Sequence, residues 1–102
     1  MFKITLSEQI GKLVFTLVGD LDNAASPEAA RGFEPVFQRT DCNVLIDCTE
    51  LNYISSSGLR ILLNIYKHIR SNNHVVTLKG LSEDVREVFV VGGFMQLFLT
   101  ED

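Results

Sequence analysis

The stretch from Asn43 to Arg70 restricts the fold of this chain more than any other. A short apolar run with a polar edge, Asn43-Val44-Leu45-Ile46-Asp47-Cys48, reads as a central strand. Downstream comes Tyr53-Ile54-Ser55-Ser56-Ser57-Gly58-Leu59, and then Leu59, Leu62, Leu63, Tyr66 and Ile69 trace one face of a helix ending near Arg70. A strand that passes through hydroxyls and a glycine into a long helix belongs to an α/β architecture. The junction puts side-chain oxygens and free backbone N–H groups at a helix N-terminus. Such a place can hold an anion or present a serine for modification. Serine and glycine also serve there simply as cap and turn.

The flanking segments extend the pattern. Residues 2–6 and 12–18 read as two strands around a turn at Glu8-Gln9-Ile10-Gly11; the second, Lys12-Leu13-Val14-Phe15-Thr16-Leu17-Val18, is rich in the β-branched and aromatic residues that suit a pleated surface. Gly19-Asp20-Leu21-Asp22-Asn23 supplies turn residues after it. Ser26-Pro27-Glu28 is a helix start, with a capping serine, proline at the first helical position and an acid in the first turn. Phe33, Val36 and Phe37 follow at helical spacing, but Pro35 falls among them and predicts a kink or two short segments.

Beyond Ser71-Asn72-Asn73, residues His74 to Lys79 form another strand. Ser82, Glu83 and Asp84 open a third helix carrying Val85, Val88 and Phe89, stopped by Gly92-Gly93. Phe94 to Leu99 read as a short closing strand or a turn plus strand. The order predicts an α/β sandwich, a mixed sheet of four to five strands with helices packed on one face. The third strand follows a helix, so a crossover to a parallel position is expected. No repeat, linker or low-complexity segment interrupts residues 1–102, which read as a single domain.

Composition narrows the function. A net charge of −4, with nine basic residues scattered and never in a run, argues against nucleic-acid binding. No apolar stretch approaches the roughly 20 residues of a membrane span. The first residues lack a signal-peptide core, so a cytoplasmic location and no membrane insertion are expected. Cys42 and Cys48 show no metal-like spacing and are expected to be free thiols, Cys48 as a small buried hydrophobe.

Catalytic patterns are absent. Ile54-Ser55-Ser56-Ser57-Gly58 lacks the leading glycine of a nucleophile elbow, and a serine nucleophile needs a base. His68 falls inside the second helix and His74 opens a strand, both expected as surface residues. Neither a phosphate-binding glycine loop nor a metal-ligand cluster is present, and no cofactor or metal is expected.

Read with its flanks, the chain resembles the STAS domain family, the fold of the bacterial anti-sigma factor antagonists. In that family a strand ends in a loop of the form D-S-S-G-L, matched here by Ser55-Ser56-Ser57-Gly58-Leu59. A second element, G-x-L-D, is matched by Gly19-Asp20-Leu21-Asp22, and a third near the C-terminus by Gly93-Phe94-Met95-Gln96-Leu97-Phe98. The resemblance implies a binding protein and not an enzyme. It implies that Ser56 is phosphorylated by a partner that is both serine kinase and anti-sigma factor, that a PPM-type phosphatase reverses this, and that the unphosphorylated form binds the kinase. Asp22, Ser55, Ser57 and Gly58 would form the switch loop and partner contact. Ser55 stands where the family usually has aspartate, so one acidic neighbour of the switch is missing. Two other readings remain open: a constitutive STAS subunit of an ABC-type lipid transporter or stress-sensing complex, and a small-ligand-binding domain. Nothing in the residues sets the oligomeric state.

Overall fold

Alternation along the strands decides which face of the sheet is covered. In β2 (Lys12–Leu21), Leu13, Phe15 and Leu17 are buried while Val14, Thr16 and Val18 between them stay partly open. The same period of two runs through β3 (Asn43–Ile54) and β4 (Val76–Lys79), where Val44, Ile46, Cys48, Val76 and Leu78 point into the core. The computed structural model, which describes residues 1–102, places all the helices against this one apolar face.

β1 (Phe2–Gln9) pairs antiparallel with β2 through a two-residue turn at Ile10-Gly11, where Gly11 takes φ 73°. β2, β3, β4 and β5 (Leu99–Glu101) then run parallel, giving the order β1-β2-β3-β4-β5. The mixed five-stranded sheet and one-sided helical cover agree with the sequence reading. α1 (Ser26–Gly32) and a 3-10 turn (Glu34–Gln38) are the two short pieces that Pro35 enforces. α2 (Ser56–Ser71) crosses the middle of the sheet. α3 (Glu83–Gly92) is capped by Ser82, which accepts from Val85 N–H, and ends in a left-handed Gly93 at φ 80°.

Several boundaries differ from the sequence reading. Gly19, Asp20 and Leu21 are not a turn but the end of β2, with Leu21 fully buried. β3 runs six residues past Cys48, and Leu51 and Ile54 pair with Gly19 and Leu21. The cause is a register break between Thr16 and Val18 on β2, which lets an irregular stretch resume pairing. Thr49 and Glu50 are exposed there, which hides the strand from a periodicity test. Gly19 sits at φ 96° with Met1 packed against it so closely that any Cβ would collide with the Met1 carbonyl. On α2 the buried face is Leu59, Leu62, Ile65 and Ile69, while Leu63 and Tyr66 are only partly covered. The closing segment is a 3-10 turn (Met95–Leu97) followed by β5, with Phe98 between them packed on Tyr66 and Phe89.

The histidines are not free surface residues. His68 Nε2 donates to the Arg39 carbonyl at 2.8 Å with its ring against Phe37, and His74 Nδ1 lies 3.2 Å from Asn43 Oδ1. Both tie loops to the sheet or to α2. Cys42 and Cys48 are free and buried, and burial pushes the Cys48 thiol up to about 12.

Candidate functional site

Parallel pairing of β2 and β3 brings their C-terminal ends together, so the β2–α1 loop faces the start of α2. Three consecutive serines meet that loop in three different ways. Ser55 is the N-cap. Its backbone is extended, its Oγ accepts the Gly58 N–H at 3.1 Å, and it is 6% exposed, the one polar side chain in the buried set. Capping therefore falls to Ser55 and not to Ser57.

Ser57 is tied sideways. Its Oγ donates to Asn23 Oδ1 at 2.6 Å and lies 2.9 Å from Ser26 Oγ and 3.1 Å from Ser55 Oγ. Ser26 in turn donates to the Asp22 carbonyl, so it is not the N-cap its sequence context suggests; Ala25 takes that position. Asp22 Oδ1 accepts the Ala25 N–H at 2.9 Å, a local turn that fixes the loop. The sequence reading takes Asn23 as a turn residue and Ser26 as a helix cap, and neither as a site residue. The available signal was topological: short polar residues following β2 must lie beside whatever follows its parallel neighbour.

Ser56, the first residue of α2, is exposed, and its hydroxyl makes no hydrogen bond to the protein. It opens onto a groove of about 470 Å³ between α2 and α3, lined by Leu59, Val88, Val91 and Phe94 and rimmed by Asp84 and Glu87. Asp22 faces elsewhere, toward a depression of about 240 Å³ shared with Met1, Asp20 and Glu28. The loop and the helix start thus touch through Ser57, and Ser56 and Asp22 open to different hollows. Gly58 is buried beneath them. A Cβ there would come within 2.7 Å of Leu21 Cγ and 3.1 Å of Ile54 Cγ1, so only glycine lets α2 start this close to the strand ends.

No histidine accompanies these hydroxyls, and no group of His, Cys, Asp and Glu is disposed to hold a metal. No helix is long and apolar enough to cross a membrane. The arrangement is one exposed hydroxyl on a rigid helix start beside an apolar groove.

Comparison with known proteins places this geometry. The family model of the STAS domain matches residues 3–102. BtrV of Bordetella bronchiseptica, a proposed anti-sigma factor antagonist, is 31% identical over 96 residues, covering 94% of this chain and 83% of BtrV. Among solved structures, an anti-sigma-factor antagonist STAS domain protein from Planctomyces limnophilus superposes with a TM-score of 0.89 at 20% identity, covering 97% of this chain and 89% of the other. The Bacillus cell fate determinant SpoIIAA, solved in its phosphorylated form, gives 0.75 at 18% identity over 96% of this chain and 90% of its own. With the fold, the serine junction and the family match in agreement, the chain belongs to the STAS domain family.

Proposed function

We propose that this protein is an anti-sigma factor antagonist, a cytoplasmic regulatory protein without catalytic activity of its own. Its unphosphorylated form binds an anti-sigma factor that is also a serine kinase, phosphorylation of Ser56 breaks that complex, and a PPM-type phosphatase restores it. The observation that carries this reading is the exposure of Ser56, alone of three neighbouring hydroxyls without a protein partner, at the mouth of an apolar groove. The relationship to BtrV and the likeness to SpoIIAA support it.

Charge gives the switch its strength. A phosphoserine carries about −1.5 to −2 charge at neutral pH. At the exposed start of α2 it gains only ~0.3–1 kcal/mol from the helix dipole, so the fold is left as it was. At the groove it adds a dianion beside Asp84 and Glu87 and must lose water when an apolar partner surface closes over it. Like charges and desolvation at an interface cost several kcal/mol, roughly a hundredfold or more in affinity. Asp22 acts in the binding loop, held by its own turn, and not as the direct neighbour of the phosphate.

Titration calorimetry with the cognate anti-sigma factor, beside intact mass after incubation with Mg-ATP, tests the proposal. Ser56→Ala should bind like the wild type and take no phosphate. Ser56→Glu should bind at least ~10-fold more weakly with an almost unchanged thermal midpoint. Unmodified wild type together with tight binding by Ser56→Glu would leave a constitutive subunit in place of the switch.

A further inference from the structure

Three adjacent serines pose a selection problem, because a kinase that reaches Ser56 is within one residue of Ser55 and Ser57. We propose that Asn23 is the residue that favours Ser56 over Ser57 as the phosphate acceptor, by holding the Ser57 hydroxyl in a hydrogen bond. The inference rests on the phosphorylation of Ser56 put forward above and names what directs it.

The hydrogen bonds run in one direction. Gly58 N–H donates to Ser55 Oγ, Ser55 Oγ lies 3.1 Å from Ser57 Oγ, and Ser57 Oγ donates to Asn23 Oδ1 at 2.6 Å. A hydroxyl has one proton and two lone pairs. With its own proton on Asn23 and the Ser26 proton on the Asp22 carbonyl, Ser57 can receive only from Ser55, which engages one of its lone pairs as well. Ser55 accepts from Gly58 and is buried, so it can neither reach a donor nor be reached. Such chains strengthen one another, because each polarised hydroxyl is a better donor to the next. Asn23 is its terminus, an acceptor on the opposite loop with no competing side-chain bond.

Phosphoryl transfer demands what Ser57 lacks. The serine Oγ must direct a lone pair at the γ-phosphorus of ATP and pass its proton to a base on the kinase, as the bond from that phosphorus to the bridging oxygen breaks and ADP departs. Ser56 has an exposed hydroxyl with proton and lone pairs unengaged within the protein. Ser57 would first have to leave Asn23 and its hydroxyl neighbours, which lowers its rate by the five- to thirtyfold that roughly one or two net hydrogen bonds represent. Asn23 is therefore a positioning residue. It acts on the reaction through Ser57 and touches neither nucleotide nor phosphate.

The test compares wild type, Asn23→Ala and Asn23→Asp, which keeps an acceptor oxygen. Each is purified from the host cell and its phosphoserine mapped by tandem mass spectrometry. Wild type and Asn23→Asp should carry phosphate mainly on Ser56, and in Asn23→Ala the ratio of Ser57 to Ser56 phosphate should rise about five- to thirtyfold. A merely structural role would lower the thermal midpoint without moving that ratio. An unchanged ratio in Asn23→Ala, or as much phosphate on Ser57 as on Ser56 in the wild type, overturns the proposal. A second measurement needs no kinase: deuterium isotope splitting of the serine Cβ resonances in mixed light and heavy water. Ser57 should show a slowly exchanging hydroxyl in the wild type and lose it in Asn23→Ala, while Ser56 exchanges fast in both. Wild type without phosphate anywhere refutes the switch, whereas fast exchange at Ser57 in the wild type refutes the role of Asn23.

Discussion

Gly58→Ala puts a methyl group where α2 starts closest to the sheet, and the outcome turns on two opposed terms. Alanine is the better helix former, by up to about 1 kcal/mol. Against that, the new Cβ would sit 2.7 Å from Leu21 Cγ and 3.1 Å from Ile54 Cγ1. Both contacts are branch or inner atoms of side chains that are 0% and 1% exposed, so neither can swing aside. Overpacking of this kind costs roughly 1–3 kcal/mol, which leaves a net loss of about 0.5–2 kcal/mol. The midpoint of thermal unfolding should fall by several degrees, at about 4–8 °C per kcal/mol for a domain near this size. A double-mutant cycle isolates the cause. Leu21→Ala alone costs about 2–5 kcal/mol. In that background the clash with Leu21 is gone, and Gly58→Ala should be neutral or stabilising by up to about 1 kcal/mol. Urea denaturation followed by far-ultraviolet circular dichroism on the four proteins gives a coupling of roughly 1–2 kcal/mol. Equal effects of Gly58→Ala in both backgrounds would refute close packing at Leu21 as the reason for the glycine.

Other substitutions separate neighbouring roles. Leu62→Ala should cost about 2–5 kcal/mol and Leu63→Ala distinctly less, since of these two only Leu62 is fully buried; denaturation midpoints that reverse this order would show the helix rotated. Ser55→Ala should lose about 1 kcal/mol with the cap, whereas Ser55→Asp retains an acceptor for Gly58 N–H and should lose less, as thermal unfolding will report. Thr49 donates through both its N–H and its hydroxyl to Asp47, and the hydroxyl bond is the foremost reason that the Asp47 carboxyl lies below its ordinary value of 3.8. A depressed carboxyl stabilises the fold above its ordinary value and loses that contribution as pH falls through the folded one. Thr49→Val should therefore be less stable by at most about 1 kcal/mol at neutral pH, with the deficit shrinking below pH 3.8; a deficit that grows in acid would contradict the assignment. Cys42 and Cys48 should resist a thiol reagent until the protein unfolds, and prompt labelling in the native state would show local opening, of strand β3 for Cys48 and of the segment just before it for Cys42.

What the residues disclosed, and what they concealed, follows from the range of each interaction. Strand alternation in β2, the Pro35 break, the Ser82 cap and the Gly93 stop are local effects of neighbouring residues, and all are visible in the chain. The serine junction was equally plain as a helix start. Which serine caps it was not, because Ser55 and Ser57 are interchangeable by propensity and are distinguished only by Asn23 and Ser26, more than 28 residues away. The extension of β3 through Thr49 and Glu50 was hidden for the same reason: pairing across a register break, not apolar content, keeps those residues in the strand. The resemblance groups Asp22 with the serines in one switch loop without fixing which side chains touch. The loop geometry directs Asp22 to Ala25 and gives the contact with α2 to Ser57.

In this sheet the spatial order of the strands is the order in which they are made. No strand has to be inserted between two earlier ones, and each new strand joins an edge that already exists. The β1–β2 hairpin, closed by a two-residue turn, is the only sheet contact with short sequence separation, and it precedes the other strands in synthesis. Growth of the domain can therefore proceed outward from β1 and β2 during synthesis, with the last strand laid down serving as the template for the next.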